Sequence, residues 1–240
     1  MMISRIGQQH KLISPSLDLQ PLEIVADLEQ ESDVRRLFDE SSRHFDGRLD
    51  LLVNNAGIGI PVDHTQVEEC WQSFRRTMQV NLMAAAQLTL LAAPLLKSTA
   101  EKLRQRDSDA DSLTCTTCII NIGSIAALRP TQTLAAYGTS KMALNMYSQC
   151  MACELAPLIR VNCINPGPIA TKLVERAGFD LNQFKQICAQ ANPLNRIGRA
   201  DEVAQAVLYL ADWSKSGYIT GAQLSIDGGC VLSPVRWNLQ

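Results

Sequence analysis

Residues 118–122 read CIINI, and this short apolar run decides the fold class. An uncharged run that is rich in isoleucine is typical of a strand buried inside a parallel sheet. A helical pattern covers residues 135–155, and a second apolar run occupies residues 161–164. A strand, a helix and a strand in this order indicate a parallel sheet with helices packed on its faces.

The same alternation extends over the rest of the chain. Short apolar runs predict further strands at residues 22–26, 51–53 and 223–226. Helical spacing of apolar residues predicts helices at residues 32–45, 66–96 and 200–212, with Ser32 as the N-cap of the first. The whole pattern predicts one α/β domain over residues 1–240, a Rossmann-like, doubly wound parallel sheet flanked by helices.

Two segments fall outside this alternation. Residues 1–21 contain too few apolar residues for buried strands, so we expect an irregular N-terminal segment. Residues 98–116 are polar and charged, and we expect an exposed insertion there. This insertion either extends the preceding helix or forms a loop that docks a partner.

The composition excludes several classes of protein. Hydrophobic residues make up 46% of the chain, which is ample for a buried core. The 22 basic and 24 acidic residues are spread along the sequence, whereas a nucleic-acid-binding protein needs a basic stripe. The apolar runs are too short for a membrane span, and the first residues lack a signal-peptide layout. We therefore expect a soluble protein, by default a cytoplasmic one.

Eight cysteines raise the question of a metal site. Cys115 with Cys118, and Cys150 with Cys153, form two C-x-x-C pairs of the kind that bind zinc. Both pairs lie next to apolar elements, and a free cysteine behaves as a small hydrophobic residue. We favour reduced thiols packed in the core over a zinc site, disfavour disulfides further, and expect no metal.

Tyr137 and Lys141 stand four residues apart in a predicted helix, so they share one face. A cation about 4 Å from a phenol lowers its pKa by up to about three units at an effective dielectric of about 20. A phenol with a lowered pKa is suited to acid–base catalysis near neutral pH. The alternative is that the pair occurs in the helix by chance.

Polar or glycine-containing motifs follow three of the predicted strands: NNAG at residues 54–57, Ser124, and NPGPIAT at residues 165–171. The carboxyl ends of parallel strands meet at one rim of the sheet, where such sheets bind ligands. The helix that carries Tyr137 begins shortly after Ser124, and Asn81 lies in the long helical region. These features are therefore expected to converge on one site.

The order and spacing of these motifs resemble the short-chain dehydrogenase/reductase family. The resemblance extends over about residues 22–230 and includes DGG at residues 227–229. It implies an NAD(P)-dependent oxidoreductase that moves a hydride between a nicotinamide cofactor and an alcohol or carbonyl substrate. The choice between NAD and NADP is left open.

The resemblance also implies roles for the catalytic candidates. Tyr137 would exchange a proton with the substrate, and Lys141 would lower the pKa of Tyr137 and hold the nicotinamide ribose. Ser124 would hydrogen-bond the reacting oxygen, and Asn81 would support a water that links Lys141 to solvent.

Further positions are implied to bind the cofactor, in addition to Tyr137 and Lys141: Asp27, Leu28, Asn55, Ala56, Gly57, Pro166, Gly167, Ile169 and Thr171. Simpler interpretations remain for some of the polar residues. Asp27 is then a turn residue, Thr171 caps the following helix, and Asn54 ties the strand loops together.

The family's first two strands, and the glycine-rich phosphate turn between them, have no counterpart in this sequence. We expect the fold to be incomplete at the N-terminus, with strand 22–26 lacking a neighbour and strand 51–53 at an edge. An alternative function follows, that of a truncated, non-catalytic interaction partner. In either case the resemblance implies a homo-oligomer that forms through helices 66–96 and 136–156.

Overall fold

The computed structural model of the chain describes residues 21–63, 65–106, 116–176, 178, 180–190 and 192–232. Residues 1–20 of the predicted N-terminal segment, and residues 107–115 of the predicted insertion, lie outside these ranges.

Four parallel strands form a single sheet in the order β1-β2-β3-β4. They are β1 (Leu51–Asn54), β2 (Thr117–Ile122), β3 (Ile159–Pro166) and β4 (Gln223–Ile226). The register pairs Leu52 with Ile119, and Ile119 with Val161. The structure therefore confirms the α/β class and the strands predicted around residues 51, 118, 161 and 223.

Helices connect the strands and cover both faces of the sheet. They are α1 (Glu31–His44), α2 (Val67–Met78), α3 (Ala84–Arg106), α4 (Ala135–Leu155), α5 (Lys172–Arg176), α6 (Leu181–Gln190), α7 (Ala200–Ala211) and α8 (Trp213–Ser216). A π-helical turn, Gln79–Met83, joins α2 to α3. Short 3-10 turns occupy Ile125–Ala127 and Cys230–Leu232.

The core consists of two apolar layers because successive side chains of β2 point to opposite faces. On one face Ile119 and Val161 pack with Leu96 of α3 and Met151 of α4. On the other face the residues in contact belong to β2, β3 and α7: Cys118, Ile120, Ile164 and Leu210. The two central strands are almost fully buried, as their apolar composition predicts.

Residues 22–26 do not form the predicted strand. They run extended, and the side chain of Val25 is 74% exposed. The Val25 carbonyl accepts a hydrogen bond from Arg36 Nη2 of α1 at 2.8 Å rather than from a strand. The reason is that, in the part of the chain that the structure describes, no strand lies alongside to pair with this backbone. β1 is accordingly the outer strand, as expected, and its first three residues are only partly buried.

Two boundaries also differ from the sequence predictions. Helix α1 starts at Glu31, so its N-cap is Gln30 and not Ser32. Residues 98–106 continue α3, and Thr99 and Ala100 are buried. Thr116 is buried as well, so the prediction of an exposed insertion is wrong at these positions.

The helical run Val67–Gln105 is long and apolar enough, by length and composition alone, to cross a membrane. In this fold Ala92 and Leu96 of the run are buried against the sheet. Burial of this kind is what a core helix of an α/β domain needs, so the run does not indicate a membrane span.

The described cysteines differ in burial. Cys118 and Cys163 are buried in the core, and burial raises the pKa of each thiol to about 11. Cys150 and Cys153 are free thiols on an exposed face of α4, so the prediction that this pair packs in the core is wrong. Within the described ranges, no group of three or more potential ligand side chains lies close enough to hold a metal ion.

Candidate active site

Ser124 lies in the turn that follows β2. Its side chain caps the 3-10 turn, with Oγ accepting a hydrogen bond from the Ala126 amide at 3.1 Å. Its own backbone N–H donates to Oδ1 of Asn165 at 3.0 Å. Both ends of the residue are thus fixed at the carboxyl rim of the sheet.

Tyr137 lies in the first turn of α4 and reaches Ser124. The Ser124 side chain interacts with the Tyr137 hydroxyl and acts to lower its pKa. Gly138 permits this approach, because a Cβ there would lie 2.9 Å from the carbonyl oxygen of Ala126. The Tyr137 ring rests against Gly59, where an added Cβ would lie 3.3 Å from ring atom Cδ2. The structure therefore brings the predicted serine–tyrosine pair together.

Lys141 is buried one turn further along α4. Its Nζ donates a hydrogen bond to the carbonyl of Ile122 at 2.8 Å and lies 5.9 Å from the centre of the Tyr137 ring. Desolvation lowers the pKa of Lys141 to about 8, although the nearby Cys163 thiol acts in the opposite direction. Serine, tyrosine and lysine thus occupy one site, as the sequence predicted.

The prediction that Lys141 lowers the pKa of Tyr137 is wrong for this structure. Burial raises the pKa of Tyr137 above its usual value, and the hydrogen bond with Ser124 offsets only part of that rise. The lysine ammonium points to the Ile122 carbonyl and is itself desolvated, so burial favours the neutral form of both side chains.

Asn81 occupies the π-helical turn between α2 and α3, and such turns are frequent at functional sites. Its side chain makes a matched pair of hydrogen bonds with the backbone of Ile58: Oδ1 accepts from N at 2.8 Å, and Nδ2 donates to O at 2.9 Å. Nδ2 also donates to Oγ of Ser140 at 3.0 Å. Asn81 therefore ties the loop after β1 to the helix that carries Tyr137 and Lys141.

The loop after β1 contains the candidates Asn55, Ala56 and Gly57. Asn55 and Ala56 are exposed, whereas the preceding Asn54 is buried. A Cβ at Gly57 would lie 3.2 Å from Nζ of Lys141 and 3.3 Å from Oδ1 of Asn81. The loop thus presents backbone rather than a side chain beside the lysine, which suits close contact with a sugar.

The hydrogen bonds of Asn54 support the interpretation that this residue ties the strand loops together. Its Nδ2 donates to Oδ1 of Asn121 at 2.8 Å, and Nδ2 of Asn121 donates to Oγ of Ser148 at 2.8 Å. This buried chain of hydrogen bonds connects β1, β2 and α4 below the rim.

The turn after β3 carries the candidates Pro166, Gly167, Ile169 and Thr171, all partly exposed. Backbone hydrogen bonds hold it, from Ala170 N to Gly198 O at 3.1 Å and from Gly198 N to Pro168 O at 2.9 Å. Thr171 directly precedes α5, as its capping interpretation requires.

A cavity of about 220 Å³ beside this turn is lined by residues such as Ile169 and Asp227. Ser124, Tyr137 and Lys141 do not line it, so we do not assign it as the substrate site.

Asp27 and Leu28 lie in a turn before α1. Oδ1 of Asp27 accepts a hydrogen bond from the amide of Glu29 at 3.0 Å, and the amide of Asp27 donates to Oδ2 of Asp33 at 2.8 Å. These local bonds are those of a turn residue. Glu29 forms a bidentate ion pair with Arg76 of α2, which holds this turn against the helix.

Sequence reasoning assigned no role to three groups that build the site: Asn165, Ser140 and the Ile122 carbonyl. Ser140 lies between the tyrosine and the lysine, and its Oγ donates to the Tyr137 carbonyl at 2.7 Å. Asn165 stands just before the Pro-Gly turn, and that position was the signal that could have revealed it. A backbone acceptor such as the Ile122 carbonyl leaves no signal in the sequence.

A family model described as Enoyl-(Acyl carrier protein) reductase matches residues 5–231. The chain belongs to the short-chain dehydrogenase/reductase family. A member from Arabidopsis thaliana, a tropinone reductase homologue, is 35% identical over 195 residues, which is 81% of this chain and 67% of the relative.

Solved structures of the short-chain dehydrogenase/reductase family share the fold. A 3-ketoacyl-(acyl-carrier-protein) reductase from Brucella melitensis complexed with NADH has a TM-score of 0.74 and 29% identity, over 95% of this chain and 85% of that one. A gluconate 5-dehydrogenase from Burkholderia cenocepacia with NADP and tartrate has a TM-score of 0.72 and 26% identity. The match covers 87% of this chain and 74% of that one. The protein is therefore an oxidoreductase of this family, and both of these neighbours bind a nicotinamide cofactor.

Proposed function

We propose that this chain transfers a hydride between a nicotinamide cofactor and an alcohol or carbonyl substrate, with Tyr137 as the acid–base residue. The observation that carries the proposal is that three side chains meet in one site: Ser124 interacts with the Tyr137 hydroxyl, and Nζ of Lys141 lies 5.9 Å from the centre of the tyrosine ring. A bound nicotinamide supplies the hydride in reduction and accepts it in oxidation.

Tyr137 is a proton donor at neutral pH in this site, because its raised pKa keeps the phenol protonated. In the reductive direction its hydroxyl donates the proton to the carbonyl oxygen of the substrate. Ser124 donates a hydrogen bond to the same oxygen, where negative charge develops. Lys141 does not lower the pKa of Tyr137 in this structure, so its proposed role is to hold the nicotinamide ribose.

The described residues fit the nicotinamide end of the cofactor. Lys141 would hold the ribose beside the exposed backbone of Asn55, Ala56 and Gly57, and the turn formed by residues 166–171 would flank the ring. Asp27 and Leu28 would face the adenine. The structural neighbours bind NADH in one case and NADP in another, so we leave the choice between the two cofactors open.

Cofactor titration tests this proposal. We expect NADH or NADPH to bind the purified chain with a micromolar Kd, measured by the fluorescence of the reduced nicotinamide. Gly57→Val should abolish that binding, because even its Cβ would lie 3.2 Å from Nζ of Lys141. A chain that binds neither cofactor contradicts the oxidoreductase assignment for this protein and favours the interaction alternative.

A second observation concerns the exposed faces of α3 and α4. Four apolar side chains on these faces, and on the π-helical turn that leads into α3, are 48–62% exposed: Met83, Leu90, Met142 and Met146. No charged residue occurs between residues 79 and 96, or between residues 142 and 153. Uncharged apolar surfaces of this kind mark interaction sites, and we propose that a second copy of the chain covers this one.

Light scattering tests the proposed dimer. Wild type should be dimeric at micromolar concentration, and Met146→Glu should be monomeric because the interface would bury an unpaired charge. Leu194→Glu is the matched control, since Leu194 is 61% exposed elsewhere on the surface. A monomeric wild type, or a Met146→Glu dimer, rules out this face.

Two buried free thiols, Cys118 and Cys163, fit a reducing compartment. On that basis we place the protein in the cytoplasm. Fractionation of cells that express a tagged chain tests this location, and recovery in a secretory fraction would contradict it.

A further inference from the structure

Asn165 is a polar residue in a position that its surroundings do not require to be polar. It is the penultimate residue of β3 and is completely buried. Its neighbours along the strand include Cys163 and Ile164, which are also fully buried. An apolar side chain of similar size would satisfy packing at such a site, so the amide needs another explanation.

One half of the Asn165 amide has two partners. Oδ1 accepts the hydrogen bond from the backbone N–H of Ser124 at 3.0 Å, across 41 residues of sequence, and a weak one from the Cys163 thiol at 3.9 Å. The other half, Nδ2, has no hydrogen-bond partner among the residues described here. A buried, unsatisfied donor destabilises a fold, so the residue carries a cost that its contact with Ser124 must outweigh.

The geometry around Gly123 shows how closely Asn165 approaches the turn. A Cβ at Gly123 would collide with Oδ1 of Asn165 and would lie 3.0 Å from Oδ1 of Asn145. Glycine is therefore required for the amide oxygen to reach Ser124. The Gly123 amide itself donates to the Ile164 carbonyl at 2.7 Å, which continues the pairing between β2 and β3.

Ser124 is oriented by this contact at its backbone N–H, together with the hydrogen bond that its Oγ accepts from the Ala126 amide. Its backbone is extended, with φ −169° and ψ 154°, immediately before the 3-10 turn that begins at Ile125. Beyond Gly123 the regular ladder between β2 and β3 has ended, and the Ser124 amide turns to the Asn165 side chain. The direction of the Ser124 hydroxyl toward Tyr137 follows from this fixed backbone.

We infer that Asn165 is a positioning residue, which acts through Ser124 by holding the serine hydroxyl against Tyr137. Only the kinetic prediction that follows from this inference rests on the proposed function. The structural contact exists whether or not the chain turns over a substrate. Asn165 touches neither Tyr137 nor Lys141 in the hydrogen bonds of the structure, so it is not itself a catalytic residue.

Amide hydrogen exchange tests the contact directly. The exchange is measured by nuclear magnetic resonance on the full chain without a cofactor. In wild type the amides of Ser124 and Gly123 should both be protected. In Asn165→Leu the Ser124 amide should exchange at least about tenfold faster, as expected for a lost hydrogen bond of roughly 1.4 kcal/mol. The Gly123 amide is the internal control and should keep its rate, because its acceptor is the Ile164 carbonyl.

Asn165→Asp is the conservative variant, since its carboxylate retains an acceptor for the Ser124 amide. We expect it to keep Ser124 protected. With NADPH or NADH and a carbonyl probe such as 2,3-butanedione, Asn165→Leu should lower kcat by about 10- to 100-fold with little change in KM, as for a lost oxyanion contact. Asn165→Asp should restore most of kcat.

The outcomes separate this inference from the proposed function. An unprotected Ser124 amide in wild type overturns the inference even if Asn165→Leu does not fold. Equal acceleration of the Gly123 and Ser124 amides in Asn165→Leu also overturns it, because the change would then be a general loss of stability. Protection that depends on Asn165, in a chain without turnover, supports the inference and contradicts the proposed function.

Discussion

The two halves of the rim differ in how firmly their residues are held. Ser124 and Lys141 lie at the end of the central strand β2 and on the helix above it, and both are buried with specific hydrogen bonds. Asp27, Asn55 and Ala56 lie beyond the outer strand β1 and are exposed. The half assigned to proton transfer is thus fixed by the core, whereas the half assigned to the cofactor rests on partly exposed backbone.

This difference follows from the sheet. The central strands pair on both sides and are covered on both faces, so the turns that follow them have rigid supports. β1 pairs only with β2 in the described sheet, and residues 21–27 pair with no strand there. The structure therefore supports the acid–base chemistry more strongly than it supports the binding of a whole dinucleotide.

The largest effect is expected from removing the phenol in the rigid half. Tyr137→Phe should lower turnover with a nicotinamide and a carbonyl probe by about 10²- to 10⁴-fold, the usual contribution of an acid–base group. Thermal unfolding should change little, since the ring is retained.

Tyr147→Phe is the matched control for this variant. Tyr147 lies on the same helix, and its hydroxyl donates to the Ala86 carbonyl at 3.3 Å, away from the trio. The turnover of Tyr147→Phe should stay within about twofold of wild type, because Tyr147 takes no part in the proposed reaction. Equal activity in Tyr137→Phe and wild type would remove Tyr137 from the mechanism.

The next effect compares the stability of the central and outer strands. Ile119→Ala in β2 should lower the free energy of unfolding by about 2–5 kcal/mol, because the side chain is fully buried. Leu52→Ala in β1 should cost roughly half as much, since Leu52 is only partly buried against the same cluster. Urea denaturation measures both values. Equal losses would show that β1 is covered as fully as β2.

The smallest effect concerns the charge of Lys141 and its pH dependence. The pKa of Lys141 falls from 10.5 to about 8 on folding, so protons bind more tightly to the unfolded chain. Its contribution to stability is therefore lost as the pH falls from 10.5 through 8.

We expect the difference in unfolding free energy between wild type and Lys141→Met to change with pH in a defined direction. Between pH 7 and pH 9 the unfolding free energy of wild type should rise by about 1 kcal/mol relative to that of Lys141→Met. Denaturant titrations at several pH values measure it, and the ionisation of Cys118 and Cys163 largely cancels between the two chains. A difference that is constant with pH would mean that Lys141 keeps its ordinary pKa.

Sequence patterns predicted the elements whose stability is encoded locally. The apolar run at residues 118–122 and the helix at residues 135–155 appear where they were expected, because burial on both faces selects such runs. Residues 22–26 have an equally strand-like composition, yet the sequence of a strand does not say whether a neighbour is present to pair with it.

The site shows the same limit at the level of single side chains. The spacing of Tyr137 and Lys141 correctly placed both groups in one site. It did not show that Lys141 would be desolvated and bonded to the Ile122 carbonyl, or that burial would raise the pKa of Tyr137. Likewise, helical spacing placed Cys150 and Cys153 on an apolar face without showing that this face is exposed.

The most direct test follows the hydride itself. Nicotinamide cofactors deuterated at the transferred position are incubated with the chain and a panel of ketones, aldehydes and a 3-ketoacyl thioester, and the alcohols are analysed by mass spectrometry. Our account predicts one deuterium on the carbinol carbon with wild type, and about 10²- to 10⁴-fold less of that alcohol with Tyr137→Phe. Alcohol formed equally by both chains, or no deuterium transfer by wild type to any member of the panel, would contradict it.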